Sequence, residues 1–290
     1  MDAQRTAEFE AQRPRLKRLA YRMLGSVVEA EDVMQDAWIR WSRAPDKVAD
    51  PGAWLIRVTT RLAIDRLRAA KAERAAYRGP WLPDPLVEPL ANDPVERAED
   101  VSVAFLLALE RLSPLERAVF LLHDVFEEDY AAVAATLGRR EPAIRQLAIR
   151  ARAHVREARP RFSVGEQQAA ELAGMAAVAQ GNVTALSALL TEDAVMVTDG
   201  GGKRKAALRV MVGREDVLRL VTGLQWRGGF AQIESMRLAR INGAPGLVLD
   251  LVEGPETIAF ESDDSGRIAA IYAVRNPDKL GHLREGAGRA

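Results

Sequence analysis

The chain has 290 residues, 48% of them hydrophobic, with 41 basic and 41 acidic side chains and no cysteine. That length allows two or three domains with real cores, and the composition excludes wholesale disorder. The absence of cysteine removes disulfides, thiolate metal sites and cysteine nucleophiles, and fits a reducing compartment. Three scattered histidines, His123, His154 and His282, do not have ligand spacing, so no metal or cofactor is expected. The N-terminal stretch lacks a signal-peptide apolar core, and no run approaches the ~20 apolar residues of a membrane span. The expectation is a cytoplasmic protein without membrane association.

From Glu8 to Tyr77 the apolar periodicity is helical: Leu16, Leu19 and Met23, then Val33, Ala37 and Trp41, then Leu55, Val58 and Leu62. The loop APDKVADPGAW, with Pro45, Pro51 and Gly52 as breakers, separates the last two helices. A segment with five prolines, GPWLPDPLVEPLANDP, follows as a linker or an extended docking segment. Helical pattern resumes from Val101 to about Arg159. Ser113, Pro114 and Glu116 form a start signal in which Ser113 caps and Glu116 completes a capping box. DYAAVAATLG reads as a short helix ended by Gly138, and a long arginine-rich helix opens at about Arg140 to Pro142, giving a helix-turn-helix. Ala135, Leu137, Ile144, Leu147 and Ile149 are expected to hold its two helices together.

Beyond about Gly165 the pattern changes. Helical stretches at Gln167–Gln180 and Val183–Leu190 precede strand-like segments AVMVTD, ALRVMVG, AQIESMRLARI, LVLDLVE, TIAFES and IAAIYAV, with REDVLRLVTGL as an intervening helix. Turns fall at DGGGK, NGAPG and SDDSG. This half reads as an α+β domain with a mostly antiparallel sheet.

The zero net charge conceals two basic blocks. Arg61 to Arg78 carries six basic and two acidic residues, and Arg139 to Arg161 carries eight arginines against two glutamates. Asp84 to Asp100 between them holds six acids and one arginine. Such blocks suit two phosphate footprints, and equally suit solvated helix faces. In a helix-turn-helix the start of the second helix meets base edges, which nominates Arg139, Arg140, Glu141, Ala143, Arg145 and Gln146. Arg150 and Arg152 lie later, where phosphate is the natural partner.

LSPLERAVFLLHDVFEEDYAAVAATLGRREPAIRQLAIRARAHVR resembles region 4 of extracytoplasmic-function (ECF) sigma factors. EAEDVMQDAWIRWSR resembles region 2.2, and WLIRVTTRLAIDRLRAAKAER resembles regions 2.3 and 2.4, in the family's order. The resemblance implies that Glu29, Asp32, Gln35, Asp36 and Trp38 dock on core RNA polymerase, whose β′ and β subunits are the expected partners. Acidic side chains at helical spacing suit a basic partner, although Trp38 and Trp41 could equally be core, and Trp41 continues a core stripe. It also implies that Trp54, which could equally be core, Arg57, Arg61, Asp65, Arg66 and Arg68 engage the −10 promoter element and that the helix-turn-helix, with Arg150, engages the −35 element. A basic track beside aromatic side chains is what single-stranded recognition requires. Many family members carry Asn where this chain has Thr60.

The C-terminal half resembles the SnoaL-like (ketosteroid-isomerase-like, NTF2-like) cone, in the subgroup of ECF sigma factors that carry it as an extension (sigma-J type). The marks are WLPDP in the linker, DGGGK and NPDKL. The resemblance implies regulation in cis through Trp81, Leu82, Pro83, Asp199, Gly200, Gly201, Gly202, Lys203, Asn276, Pro277, Asp278, Lys279 and Leu280. WLPDP and NPDKL are expected to meet. A small-molecule ligand of the cone is a candidate partner beside promoter DNA. Asp193, Asp199, Asp250 and Tyr272 could in principle serve proton abstraction, but Asp199 opens a glycine-rich turn, where aspartate is common for conformational reasons. The expected organisation is two all-α sigma domains at 1–80 and 101–162, an acidic proline-rich linker at 81–100, and a SnoaL-like regulatory domain at 163–290, with no enzymatic activity. A one-component helix-turn-helix regulator that senses a ligand is the alternative, and it leaves the acidic helix and the −10-like motif unexplained. A SnoaL-type isomerase leaves more than half of the chain unexplained.

Overall fold

A computed structural model of the chain describes residues 2–45, 48–89, 102–158, 174, 177, 182–227 and 232–286. They fall into two compact units, one formed by residues 1–75 and 106–159, the other by 76–105 and 160–290. No helix among the described residues is long and apolar enough to cross a membrane.

The first unit is all helical. It contains α1 (Asp2–Leu24), α2 (Val27–Ser42) and α3 (Pro51–Ala75), most of α4 (Val103–Glu110), and α5 (Pro114–Phe120) running into a π turn (Leu121–Val125). α6 (Tyr130–Leu137) and α7 (Glu141–Ala158) complete it. α2 buries Ala30, Val33, Met34, Ala37 and Trp41, the three-to-four spacing that presents one stripe to α1 and α3. The capping box is formed: Ser113 Oγ accepts from Glu116 N at 3.3 Å, and Glu116 Oε2 accepts from Ser113 N at 3.0 Å. Burial opposes the charge on Glu116, yet the Ser113 hydrogen bonds outweigh it and hold the carboxyl below its ordinary range.

The two expected sigma domains are not separate here. α3 packs on α5 and α6 within one unit. Arg117, 2% exposed, donates to Met23 O at 2.7 Å and to Leu109 O at 2.9 Å, and pairs with Glu110 at 2.7 Å. Arg15 pairs with Glu128, also at 2.7 Å. A buried guanidinium bonded to two carbonyls is a strong fixed point between helices distant in sequence.

The second unit adds α8 (Val183–Leu189), α9 (Arg214–Trp226) and α10 (Gly281–Gly286) to seven strands. These are β1 (Val87–Pro89), β2 (Leu190–Asp199), β3 (Met211–Val212), β4 (Ile233–Ile241), β5 (Ala244–Leu251), β6 (Gly254–Ser262) and β7 (Ile268–Val274). The sheet order is β1-β4-β5-β6-β7-β2-β3, antiparallel except for the parallel β2–β7 pair. α8 and α9 cover a core that includes Leu190, Met196, Val217, Leu247, Phe260 and Ile271. This is the expected α+β domain with a mostly antiparallel sheet. Asn242 (φ 50°) and Gly243 (φ 81°) make the two-residue β4–β5 turn, where both central positions need positive φ. Of the expected strand ALRVMVG only Met211–Val212 pairs, and the expected helix at Gln167–Gln180 lies outside the described residues apart from Gly174 and Ala177.

The linker differs most from expectation. Residues 76–105 belong to the second unit, so the fold boundary falls near Ala76 and not at residue 163 alone. Val87, Glu88 and Pro89 pair with Ile241, Arg240 and Ala239, making β1 an added edge strand where a proline is tolerated. Leu82 is fully buried and Asp84 is 4% exposed. An apolar anchor and a strand ladder thus convert the expected spacer into a docked segment.

Candidate functional site

A pocket of about 480 Å³ opens on the helical unit between α2 and α3, lined by Ile39, Arg40, Arg43, Trp54, Arg57, Val58 and Arg61. Four guanidinium groups around an indole and two aliphatic side chains can take a phosphate track and an unstacked base. Trp54 stacks obliquely on Trp41 with centroids 5.2 Å apart. Trp41 is core, 3% exposed, and its Nε1 donates to Arg5 O at 3.0 Å. Of the six residues assigned to the −10 element, the structure brings Trp54, Arg57 and Arg61 together. It corrects the placement of Arg66, whose guanidinium is forked between Asp32 at 3.1 Å and Asp36 at 3.0 Å. Burial alone would lower its pKa, but the two carboxylates raise it. Five residues of helix turn through about 500°, which puts Arg66 about 140° around α3 from Arg61. Asp65 and Arg68 are an exposed pair at 3.2 Å outside the pocket. Arg40 and Arg43 went unnoticed in the sequence because they close a helix read for its acids.

Arg66 also alters the acidic face of α2. Asp32 and Gln35 are exposed and Asp36 is half-buried, but both carboxylates are shared with Arg66. Glu29 contributes its backbone N–H to the Ser26 cap at 3.4 Å. Trp38 packs on Phe9 with centroids 5.2 Å apart, so its ring is already partly engaged. Thr60 is fully buried, and its Oγ1 donates to Ile56 O at 2.7 Å, a packing role.

In the helix-turn-helix, Asp129 caps α6 by accepting from Ala132 N at 2.6 Å, and Gly138 ends it with φ 64°. Arg139, Arg140, Ala143, Arg145, Gln146 and Arg150 are exposed and Glu141 is half-buried, along the start and outer face of α7. Arg139, Arg140 and Gln146 have no side-chain hydrogen bond or ion pair among the described residues. Arg145 pairs with Glu141 at 2.5 Å and lies 4.5 Å from the Tyr130 ring centroid. Arg150 is 3.6 Å from Glu116. Arg152, expected at phosphate, is held by Asp124 at 2.6 Å and by Tyr130 at 3.3 Å, and these bonds raise its pKa. The expected inter-helix contacts need two corrections. Ala135 is exposed and Ile149 is 58% exposed. The buried stripe of α7 is Ile144, Ala148, Ala151 and Val155, a run of four-three-four steps that Ile149 misses by one residue.

In the second unit the three marked motifs converge on one carboxylate. Asp199, fully buried, accepts from Tyr77 OH at 2.5 Å and Gly201 N at 3.0 Å on Oδ1. Its Oδ2 accepts from Leu82 N at 2.9 Å and Lys279 Nζ at 2.8 Å. Lys279 also donates to Leu82 O, and its ammonium lies 4.2 Å from the Trp81 ring centroid and 5.1 Å from that of Tyr77. Asn276 Nδ2 donates to Tyr77 OH at 2.9 Å, and Asn276 Oδ1 accepts from Asp278 N at 3.1 Å. Burial and then the Asp199 carboxylate push the Tyr77 phenol well up. Gly201 (φ 60°) is required here, since a Cβ at that position would come within 2.3 Å of Asn276 Nδ2. Gly202 (φ 72°) packs under Arg78, and Gly200 closes on Arg204 O, where a Cβ would lie at 2.2 Å. Lys203 pairs with Asp278 at 2.6 Å, and Leu280 is 1% exposed. Farther along, His282 Nε2 lies 3.0 Å from Pro85 O, and Asn242 clasps Leu86 through its backbone N (2.9 Å to Leu86 O) and its Oδ1 (3.2 Å from Leu86 N). WLPDP, DGGGK and NPDKL therefore form one latch. Tyr77 belongs to it and was not nominated from sequence; its place four residues before Trp81 was the available signal.

The proton-transfer candidates do not assemble. Asp193 is exposed, Asp250 accepts from Ser235 at 2.5 Å, Tyr272 is buried against Glu261 at 3.5 Å, and Asp199 is spent on the latch. None of the four lines the chamber of about 380 Å³ between α9 and the sheet.

Comparison with known proteins covers both units. Models of sigma-70 region 2 and sigma-70 region 4 match residues 9–73 and 102–155. The chain is 41% identical to the ECF RNA polymerase sigma factor SigJ of Mycobacterium tuberculosis, over 94% of this chain and 92% of that protein. It is 39% identical to the probable ECF RNA polymerase sigma factor SigI of the same species, over 56% of this chain and 58% of that protein. The crystal structure of the M. tuberculosis extracytoplasmic function sigma factor SigJ matches with a TM-score of 0.77 at 36% identity, over 95% of this chain and 98% of that chain.

Proposed function

The chain belongs to the ECF sigma factors of RNA polymerase, and we propose, on that premise, which surfaces perform promoter recognition and how the extension controls them. Sigma factors bind core RNA polymerase and direct it to promoters, so this chain is a transcription initiation factor and acts in the cytoplasm, where the polymerase is. The observation that carries this function is full-length similarity to a sigma factor that includes both region 2 and region 4. A one-component regulator would share region 4 but not region 2.

The pocket of Trp54, Arg57 and Arg61, widened by Arg40 and Arg43, reads the −10 element. Its arginines hold the backbone, and Trp54, Ile39 and Val58 receive an unstacked base. Arg139, Arg140 and Gln146, exposed at the start of α7, read the −35 element in the major groove. Asp32, Gln35 and Asp36 on α2 meet a basic surface of the polymerase β′ subunit, with Arg66 setting the rotamers of the two aspartates. The extension acts in cis: the latch around Asp199 and Lys279 holds the interdomain linker against the cone. The chain carries out no chemistry of its own.

Adding the purified chain to core polymerase tests the reading. The expected result is promoter-specific initiation that core polymerase alone does not support. Initiation only in the presence of a second sigma factor would overturn it.

A further inference from the structure

The chamber between α9 and the sheet, about 380 Å³, lies within the range of small-molecule sites. Its walls are apolar, with Met196, Val221, Leu249, Ile258 and Ile271 among them. Its charged groups are three cations and two carboxylates: Lys205, Arg227, Arg275, Glu253 and Glu256. Both carboxylates already face arginines. Glu256 lies 2.8 Å from Arg275 Nε, and Glu253 lies 3.6 Å from Arg204 Nη2. Burial pushes the Glu256 carboxyl up, and Arg275 and Arg204 draw it back. Arg204, with a side chain 7% exposed, keeps Nε without an acceptor among the described residues, whereas Arg275 is engaged, its Nε by Glu256 and its Nη1 by Lys205 O at 2.5 Å. Lys205 and Arg227 are exposed, and neither has a side-chain ion pair or hydrogen bond among the described residues. The charged end of the chamber therefore has more donors than acceptors and more positive than negative charge. A cationic or neutral guest would leave those donors unmatched, whereas an anion would satisfy them.

From these walls and this charge surplus we propose that the chamber binds a small amphipathic carboxylic acid in its ionised form. The apolar body fills the space between Val221 and Ile258, and the carboxylate faces Lys205 and Arg227, the two cations of the chamber with no side-chain ion pair or hydrogen bond among the described residues. Backbone continuity joins this end to the latch. Arg275 N donates to Asp199 O at 2.7 Å, Thr198 lines the chamber immediately before Asp199, and Lys205 follows the DGGGK turn by two residues. An occupant thus bears on residues adjacent to those that hold the linker, which gives the extension an input. This goes beyond the sigma activity proposed above, and binding can be measured without polymerase, so either idea can fail alone.

The probe is decanoate, compared with decanol and decylamine, titrated into the intact chain by calorimetry below their aggregation concentrations. Decanoate is expected to bind with one-to-one stoichiometry and more tightly than the other two. The surface double variant Lys205→Glu/Arg227→Glu should weaken decanoate by about tenfold and favour decylamine. Val221→Trp, which fills the chamber, should abolish binding of all three. Decylamine binding as tightly as decanoate, unchanged decanoate affinity in the surface double variant, or no heat from any probe would each overturn the proposal. The surface variant replaces exposed side chains, so it keeps the test decisive if Val221→Trp does not fold.

Discussion

Replacing Lys279 with Met should release the linker without unfolding the cone. The Lys279 side chain is 8% exposed and Asp199 is fully buried, so their pair is shielded from solvent and salt. Removing one partner of a buried pair costs about 3–5 kcal/mol. Asp199 would keep three donors, Tyr77 OH, Gly201 N and Leu82 N, so the lower end applies. About 3 kcal/mol corresponds to an opening equilibrium shifted about a hundredfold. The Leu82 amide reports it directly, because its hydrogen is bonded to Asp199 Oδ2. Hydrogen exchange at Leu82 should accelerate by about that factor in Lys279→Met, while exchange in β5 and β6 stays unchanged. Asp199→Ala, which removes the acceptor for all four donors, should accelerate it further. An acceleration below about fivefold at Leu82 in Lys279→Met would show that the β1–β4 ladder holds the linker and that the latch is incidental.

Arg57→Ala/Arg61→Ala should weaken binding to single-stranded −10 DNA and flatten its log-affinity against log-salt slope by about 1.4, the release expected from two phosphates; Arg66→Ala should leave that slope unchanged, because its charge is spent on Asp32 and Asp36. Gln146→Ala should reduce discrimination at one −35 base pair by about 1–3 kcal/mol, read from affinities for a panel of substituted promoters, with non-specific binding unaffected. Ile144→Ala should destabilise the helical unit by about 2–5 kcal/mol in denaturant melts, whereas Ile149→Ala at an exposed position should change it by less than about 0.5 kcal/mol. Glu116, with a folded pKa below that of the unfolded chain, contributes stability that is present above about pH 4.3 and lost as pH falls through its folded value; Glu116→Gln should lower neutral-pH stability and weaken that acid dependence in pH-stepped melts.

Local signals were legible where a short stretch determines its own geometry. Ser113 and Glu116 announced a capping box that forms, and Asn242-Gly243 announced a tight hairpin turn. The helix-turn-helix was readable from Gly138 and the arginine-rich run after it, and Ile144 was placed correctly at its inter-helix contact, but Leu147 and Ile149 were added to it as hydrophobic letters. The small residues Ala148 and Ala151 make the buried stripe, because close helix packing favours small side chains that a hydrophobicity reading passes over. Arg66 looked like its basic neighbours on α3. Only packing against α2 shows that Asp32 and Asp36 take it. The linker was harder still. Val87-Glu88-Pro89 has no alternation and ends in proline, and its strand character comes from β4, about 150 residues away, by non-local pairing. Lys279 was marked by NPDKL alone, and its burial against Asp199, Trp81 and Tyr77 comes from residues far away in the chain.

The packing of the helical unit gives the proposed latch a route to initiation. Arg61, proposed to read the −10 element, lies against the turn that starts the −35 reader: a Cβ placed on Gly138 would be 3.7 Å from its Nη2. Elements centred 25 base pairs apart are separated by roughly 85 Å of duplex, whereas a compact unit of this size has a radius of gyration of only about 14 Å. On the proposed assignment of the two readers one such unit cannot span both, and recognition of the whole promoter then calls for α3 to part from α5 and α6. The chain between Ala75 and Val103 then becomes the tether, and fully extended it reaches about 95 Å. While the latch is closed, the part from Tyr77 to Pro89 is folded into the extension and is not available as tether. Opening the latch frees the part before Val87, and release of the β1–β4 ladder frees the rest. On this geometry Lys279→Met changes initiation through the reach of the tether, and its effect should vanish on promoters presenting a −10 element alone.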